Sequence, residues 1–101
     1  MIMEVPEFIN TAPRYLSTLM RGLYELSDEP RDTFDDLFGQ WEHAFGDSED
    51  TGSTNEICLC SQKGLRYIYF INNVKNGNRT HIGSVCIDTV RESIDNCREL
   101  D

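Results

Sequence analysis

The sequence predicts an α+β domain, and three observations carry that reading. Apolar residues recur at three- and four-residue spacing over roughly 13–45, the period shortens to that of strands around an Asn-Gly pair, and helical spacing resumes after residue 84. At 101 residues the chain has the size of one domain, with a core small enough to benefit from a staple.

The elements follow in order. Thr11-Ala12-Pro13 reads as a helix start, with Thr11 or Asn10 as cap and Pro13 in the first turn. Tyr15, Leu16, Leu19, Met20, Leu23 and Leu26 then form one apolar stripe, which predicts a helix over 13–26. Ser27-Asp28-Glu29-Pro30 stops it. Phe34, Leu37, Phe38, Trp41 and Phe45 continue the helical spacing, with Asp32, Asp35, Asp36 and Glu42 mainly on the other side. Residues 13–45 are therefore expected to form an acidic helical hairpin. Residues 46–56, GDSEDTGSTNE, carry no large apolar side chain and read as an exposed, flexible linker. Residues 65–72 are β-branched and aromatic, Asn76-Gly77 is a tight-turn signal, and 79–82 return as a second strand. Val85, Ile87, Val90, Ile94 and Cys97 predict a closing helix to about 99, capped by Ser84 or Asp88, so that 57–101 form a β-hairpin and helix module.

Hydrophobic content of 39% with ten aromatics argues against a wholly disordered chain. The apolar run at 67–71 is too short to cross a bilayer. The start, MIMEVPEFIN, has acids where an export signal carries Lys or Arg, so the expected location is intracellular. In that compartment four cysteines read as thiols or metal ligands rather than disulfides. The net charge of −9 is unevenly placed: residues 1–56 carry −10, residues 57–87 carry +4 with no acid at all, and residues 88–101 carry −3. Such polarity implies either contact between the halves or two different partner-facing surfaces.

Three cysteines fall in ICLCSQKGLRYIYFINNVKNGNRTHIGSVCI, residues 57–87. The residues admit three readings: metal ligands, a redox set, or small buried side chains. Zinc is the leading one. The order of Cys-x-Cys turn, β-hairpin and Gly-x-x-Cys at a helix start is the layout of a treble-clef zinc finger, and Zn²⁺ takes tetrahedral sulfur and nitrogen ligands. Helix N-terminal N–H groups favour a thiolate at Cys86, and Gly83 fits as the bend between strand and helix. The metal would add stability that a core of this size struggles to provide.

This stretch, with Trp41-Glu42 upstream, resembles a small cysteine-motif module found in proteins of large DNA viruses and some bacteriophages. The matching residues are Cys58, Cys60, Arg66, Tyr67, Ile71, Asn73, Gly77, Ile82, Gly83, Ser84, Cys86 and Ile87, within about a third of the chain. The resemblance implies a zinc-binding viral protein of mostly unassigned function and does not imply an enzyme. Ser61 departs from the pattern, standing where the family usually has glycine, and Thr89 occupies the position where a treble-clef helix would offer another ligand. The first choice for a fourth ligand is His81, five residues before Cys86; His43, beside Trp41, is the second. Cys97 lies eleven residues beyond Cys86, about 16 Å along a helix, too far to share one ion with it.

No phosphate-cradling Gly-rich loop, nucleophile elbow or His-Glu hydrolase pattern is present, so the expected class is non-enzymatic. The leading expectation is a viral-type protein-interaction module in the host cell, offering Asp32, Asp35 and Asp36 to a basic partner such as a histone. The alternative is nucleic-acid binding through Arg66, Tyr67, Tyr69 and Lys75, since aromatics stack on bases and cations neutralise phosphate. The helical stripes of 13–45 also suggest a homodimer.

Overall fold

The computed structural model describes residues 4–44 and 46–99, the last two by backbone alone. Its architecture is α+β, with α1 (Glu7–Asn10), α2 (Arg14–Leu26), α3 (Phe34–Phe38), β1 (Trp41–Glu42), β2 (Ser48–Asp50), β3 (Tyr67–Asn73), β4 (Arg79–Ile82) and α4 (Ser84–Glu99). The β-branched and aromatic run YIYFINN makes β3 the spine of an antiparallel sheet. One edge of β3 carries β4, with Tyr69 opposite Ile82 and Asn72 opposite Arg79. The other edge carries two short strands end to end: β2, with Ser48 opposite Tyr69, and β1, with Trp41 opposite Asn73.

α2 forms where its stripe predicts, and of that stripe Leu19, Met20 and Leu23 are buried and Leu16 and Leu26 half-buried, while Tyr15 is exposed and Tyr24, outside the stripe, is buried. Its start differs in detail. Pro13 is the capping position and no side chain caps it. Thr11 and Asn10 are used elsewhere, because the preceding residues form the one-turn helix α1: the Thr11 hydroxyl donates to the Glu7 carbonyl, and the Asn10 amide oxygen accepts from Arg21.

The second half of the expected helical hairpin is a correction. Only one turn, Phe34–Phe38, is helical; it is capped by Thr33, whose hydroxyl accepts from the Asp36 amide, and it ends at Gly39. Gly39 weakens continuation, and the next two residues have better uses outside a helix. The buried Gln40 side chain donates to the carbonyls of Asp28 and Asp36 (both 2.9 Å) and accepts from the Asp28 amide (2.7 Å) and the Asn73 side chain (2.8 Å). Trp41 is fully buried in β1, where its indole N–H donates to the Ser27 hydroxyl at 2.8 Å. A three- and four-residue apolar spacing ending in one inward-facing strand residue looks the same in sequence as a longer helix. Phe45, placed at the end of that stripe, lies outside the described residues.

The expected linker is also corrected in part. Exposed residues Ser48–Asp50 pair with β3, supplying the ladder that its second edge would otherwise lack. Electrostatics fixes the same segment: Arg66 binds Asp50 through two nitrogens (2.9 and 3.1 Å), and Arg79 binds Asp47 in the same way (both 3.0 Å). The charge asymmetry thus resolves, at these positions, as contact between the acidic and basic parts of the chain.

The hairpin of β3 and β4 forms around positive-φ Gly77 (φ 77°), and α4 closes the fold over the expected residues. The Asn73 side-chain oxygen accepts from the amides of Lys75 and Asn76, which shapes the loop, and the side chains of Asn76 and Asn78 both donate to the Leu26 carbonyl (3.0 and 2.8 Å). One continuous core results, with Leu19 and Leu23 from α2, Leu37 and Phe38 from α3, Trp41 from β1, Ile71 and Ile82 from the hairpin, and Val90 and Ile94 from α4. Among the described residues no helix is long and apolar enough to cross a membrane.

Candidate metal centre

The segment before the hairpin folds back on itself. Glu56 and Leu65 bridge across its base, the Cys58 amide donates to the Gln62 carbonyl (2.9 Å), and the Ser61 amide donates to the Cys58 carbonyl (2.8 Å). The last of these closes a tight turn over Cys58-Leu59-Cys60-Ser61. Completing that turn requires Ser61 to adopt φ 76°, a left-handed conformation that suits glycine.

Two close approaches position the turn. Leu59, between the two cysteines, sits on Gly22 of α2: a Cβ at Gly22 would fall 2.5 Å from the Leu59 Cγ. At the other side Gly83 leads from β4 into α4, and a Cβ there would meet the Leu65 Cδ2 at 3.0 Å. The Gly83 amide donates to the Cys58 Sγ at 3.3 Å, tying the turn to the start of the helix that carries Cys86.

The sulfur atoms of Cys58, Cys60 and Cys86 consequently lie within 4.8 Å of one another. All three are free thiols; Cys58 and Cys86 are buried and Cys60 is half-buried. A tetrahedral metal with metal–sulfur bonds of about 2.3 Å holds its sulfurs about 3.8 Å apart, so small side-chain movements bring the three onto one ion. The donor set is soft, of the kind that suits zinc, cuprous copper or iron–sulfur centres. The arrangement is compatible with a bound metal ion.

Electrostatics already favours a thiolate here. The Cys58 thiol is pulled well below its ordinary range, chiefly because Cys86 donates to it and also because the amides of Cys60 and Gly83 point at its sulfur; burial opposes this. Cys86 is pushed the other way by its donation to Cys58 and by burial. The two thiols are thus driven in opposite directions by the contact they share. A cation placed among the sulfurs would draw off the remaining protons, as metal binding to thiols generally does.

Neither histidine joins the three sulfurs. The His81 Nε2 donates to the Ile57 carbonyl at 3.0 Å and lies 3.5 Å from the Glu56 carboxylate, so this ring braces the strand leading into the turn. The His43 Nδ1 donates to the Phe70 carbonyl at 2.7 Å, and its ring meets Tyr69 edge-on. Cys97 stands apart, donating to Asp35 at 3.4 Å; burial and then Asp35 push its thiol up to about 11.

The residues expected to meet partners fall into two groups. Asp32, Asp35 and Asp36 are exposed around α3, and Asp32 accepts from the Tyr24 hydroxyl at 2.8 Å. Arg66 is taken up by Asp50, and the Lys75 ammonium reaches the Glu29 carbonyl at 3.4 Å.

Sequence reasoning missed the seat of Leu59 on α2, although a glycine inside an amphipathic helix is the signal that would have found it. It also missed a cleft of about 340 Å³ beside the cluster, lined by Tyr15, Cys60, Ser61, Gln62, Val85 and Cys86. No sequence signal marks that cleft, because it joins the start of α2 to the start of α4. The chain matches no protein-family model, no curated protein and no solved structure.

Proposed function

We propose that this chain is a non-enzymatic, viral-type interaction module stapled by a structural zinc ion on Cys58, Cys60 and Cys86. The observation that carries the metal part is the convergence of three sulfurs from two separate segments within 4.8 Å. The resemblance of residues 57–87 to the viral and phage cysteine module supports zinc over other soft-site metals. In this reading the ion ties the turn at 58–61 to α4, and the stability it adds holds together a fold with a small core.

The interaction part rests on charge. Two of the four cations in the hairpin region, Arg66 and Arg79, are already neutralised by Asp50 and Asp47, which leaves little free positive charge for a nucleic-acid backbone. Asp32, Asp35 and Asp36 remain exposed and suit a Lys- or Arg-rich protein partner such as a histone tail.

The test has two arms. Zinc is measured by elemental analysis on protein purified without added metal or chelator, for the native chain and for Cys58→Ser. One equivalent, lost together with cooperative unfolding in the variant, supports the staple; folded protein without zinc overturns it. Binding of a labelled basic peptide is then followed by anisotropy for the native chain and for Asp35→Asn/Asp36→Asn. Equal affinity of the two proteins would remove the acidic face from the proposal.

A further inference from the structure

The chain brings three metal-binding donors together, and among the described residues no fourth His, Cys, Asp or Glu joins them. A tetrahedral ion on three thiolates has one position left. The surroundings indicate where that position faces. Cys60 and Cys86 both line the 340 Å³ cleft, whereas Cys58 does not, being held from behind by the Gly83 amide. The walls of the cleft are Tyr15 and Val85, which are 48% and 57% exposed, with Ser61 and Gln62 at its polar side. Two large apolar side chains left open to solvent beside a coordination position form the outline of a small ligand site.

We propose that a metal on Cys58, Cys60 and Cys86 keeps its fourth coordination position open to this cleft, and that the position takes a neutral aromatic nitrogen donor of the imidazole class. This inference rests on the metal reading above. The choice of donor follows from charge. A divalent ion with three thiolates already carries one net negative charge, in a chain whose own net charge is −9. A fourth thiolate would add a second negative charge against apolar walls, at a large desolvation cost. A neutral imidazole adds none, completes a Cys₃His-type shell, and presents a flat ring to Tyr15. Binding is a ligand exchange without redox change: the imidazole nitrogen donates its lone pair to the metal as a bound water departs. The imidazole could belong to a small molecule or to a histidine side chain of another protein, and the two are separable by experiment.

The test uses the full chain loaded with Co²⁺, whose visible absorption bands report donor set and coordination number. The probes are 1-benzylimidazole and the blocked tripeptide Gly-His-Gly, with benzyl mercaptan as the anionic comparison. The expected result is a band shift with a saturable imidazole-type probe and a weaker response to the thiol. Val85→Trp, which narrows the cleft at a residue that offers no metal donor, should leave Co²⁺ binding intact and weaken the probe about tenfold. Tighter binding of the tripeptide assigns the donor to a protein histidine, and tighter binding of 1-benzylimidazole assigns it to a small molecule. Bands that are insensitive to every probe overturn the open position, and their alteration by His81→Ala would identify that residue as an internal fourth ligand. Failure to bind Co²⁺ or Zn²⁺ at all overturns the metal reading itself, an outcome distinct from a metal that binds and ignores the probes.

Discussion

Ser61→Gly should stabilise the protein, although it removes a side chain from the rim of the candidate site. Ser61 is held at φ 76° by the turn that presents Cys58 and Cys60, it is exposed, and its hydroxyl makes no hydrogen bond among the described residues. A left-handed conformation costs an L-residue about 1–2 kcal/mol. Glycine removes that cost but loses roughly 0.5–1 kcal/mol through its greater freedom in the unfolded chain. The balance is a gain of about 0.5–1 kcal/mol, which for a domain of this size raises Tm by about 2–8 °C. Thermal unfolding followed by circular dichroism, with zinc and with a chelator, measures it. Gly64 supplies the mirror experiment. It has the same φ of 76°, and a Cβ there would meet nothing closer than the Thr54 carbonyl at 4.0 Å, so Gly64→Ser should lose what Ser61→Gly gains. A Ser61→Gly protein with unchanged or lower Tm in both conditions would refute the view that the turn is strained.

Three further outcomes are expected. Gly22→Ala drives a methyl into Leu59 and should destabilise the chain by about 1–3 kcal/mol despite alanine's better helix propensity, while adding Leu59→Ala should recover much of the loss; urea denaturation of the single and double variants measures the coupling. Arg79 lowers the pKa of Asp47 and Arg66 lowers that of Asp50, so both carboxylates contribute stability that is present above the ordinary carboxylate pKa of about 3.9 and lost as pH falls through their lower folded values. The stability difference between the native chain and Asp47→Asn/Asp50→Asn should therefore be constant near neutrality and vanish in acid; a difference that grows on acidification would contradict the assignment. Light scattering should give the monomer mass, because most of the apolar stripe over 13–45 that prompted the dimer expectation, namely Leu19, Met20, Leu23, Leu37, Phe38 and Trp41, is buried within its own chain. A dimer mass at low concentration would show another contact at work.

The sequence was most legible where one periodicity and one fold coincided. The α2 stripe, the hairpin around Gly77 and the helix from Ser84 all appear where spacing and turn chemistry put them, because each is determined by its own residues. The turn after residue 38 and the strand at 48–50 were misread for the opposite reason. Trp41 and Ser48–Asp50 become strands only because β3, many residues later, offers two edges, and Gln40 leaves the helix to satisfy Asp28, Asp36 and Asn73. The three cysteines were legible as a constellation because a turn and a helix start are local features. The places of His81 and His43 were not, since each ring is claimed by a backbone carbonyl on a neighbouring segment.

The two asparagines at the tip of the hairpin, both donating to the Leu26 carbonyl, settle where this chain can be lengthened. That carbonyl belongs to the last turn of α2 and has no partner within its own helix, so the loop at 74–78 acts as a remote cap. An affinity tag or reporter peptide inserted between Asn76 and Asn78 would uncap α2 and pull at the end of the sheet. The same insertion at 52–55, an exposed stretch beginning at positive-φ Gly52, would extend the chain between β2 and the cysteine turn without breaking such a tie. The segment whose composition reads as a turn is thus a structural joint, and the permissive site lies in the polar loop before the cysteine turn.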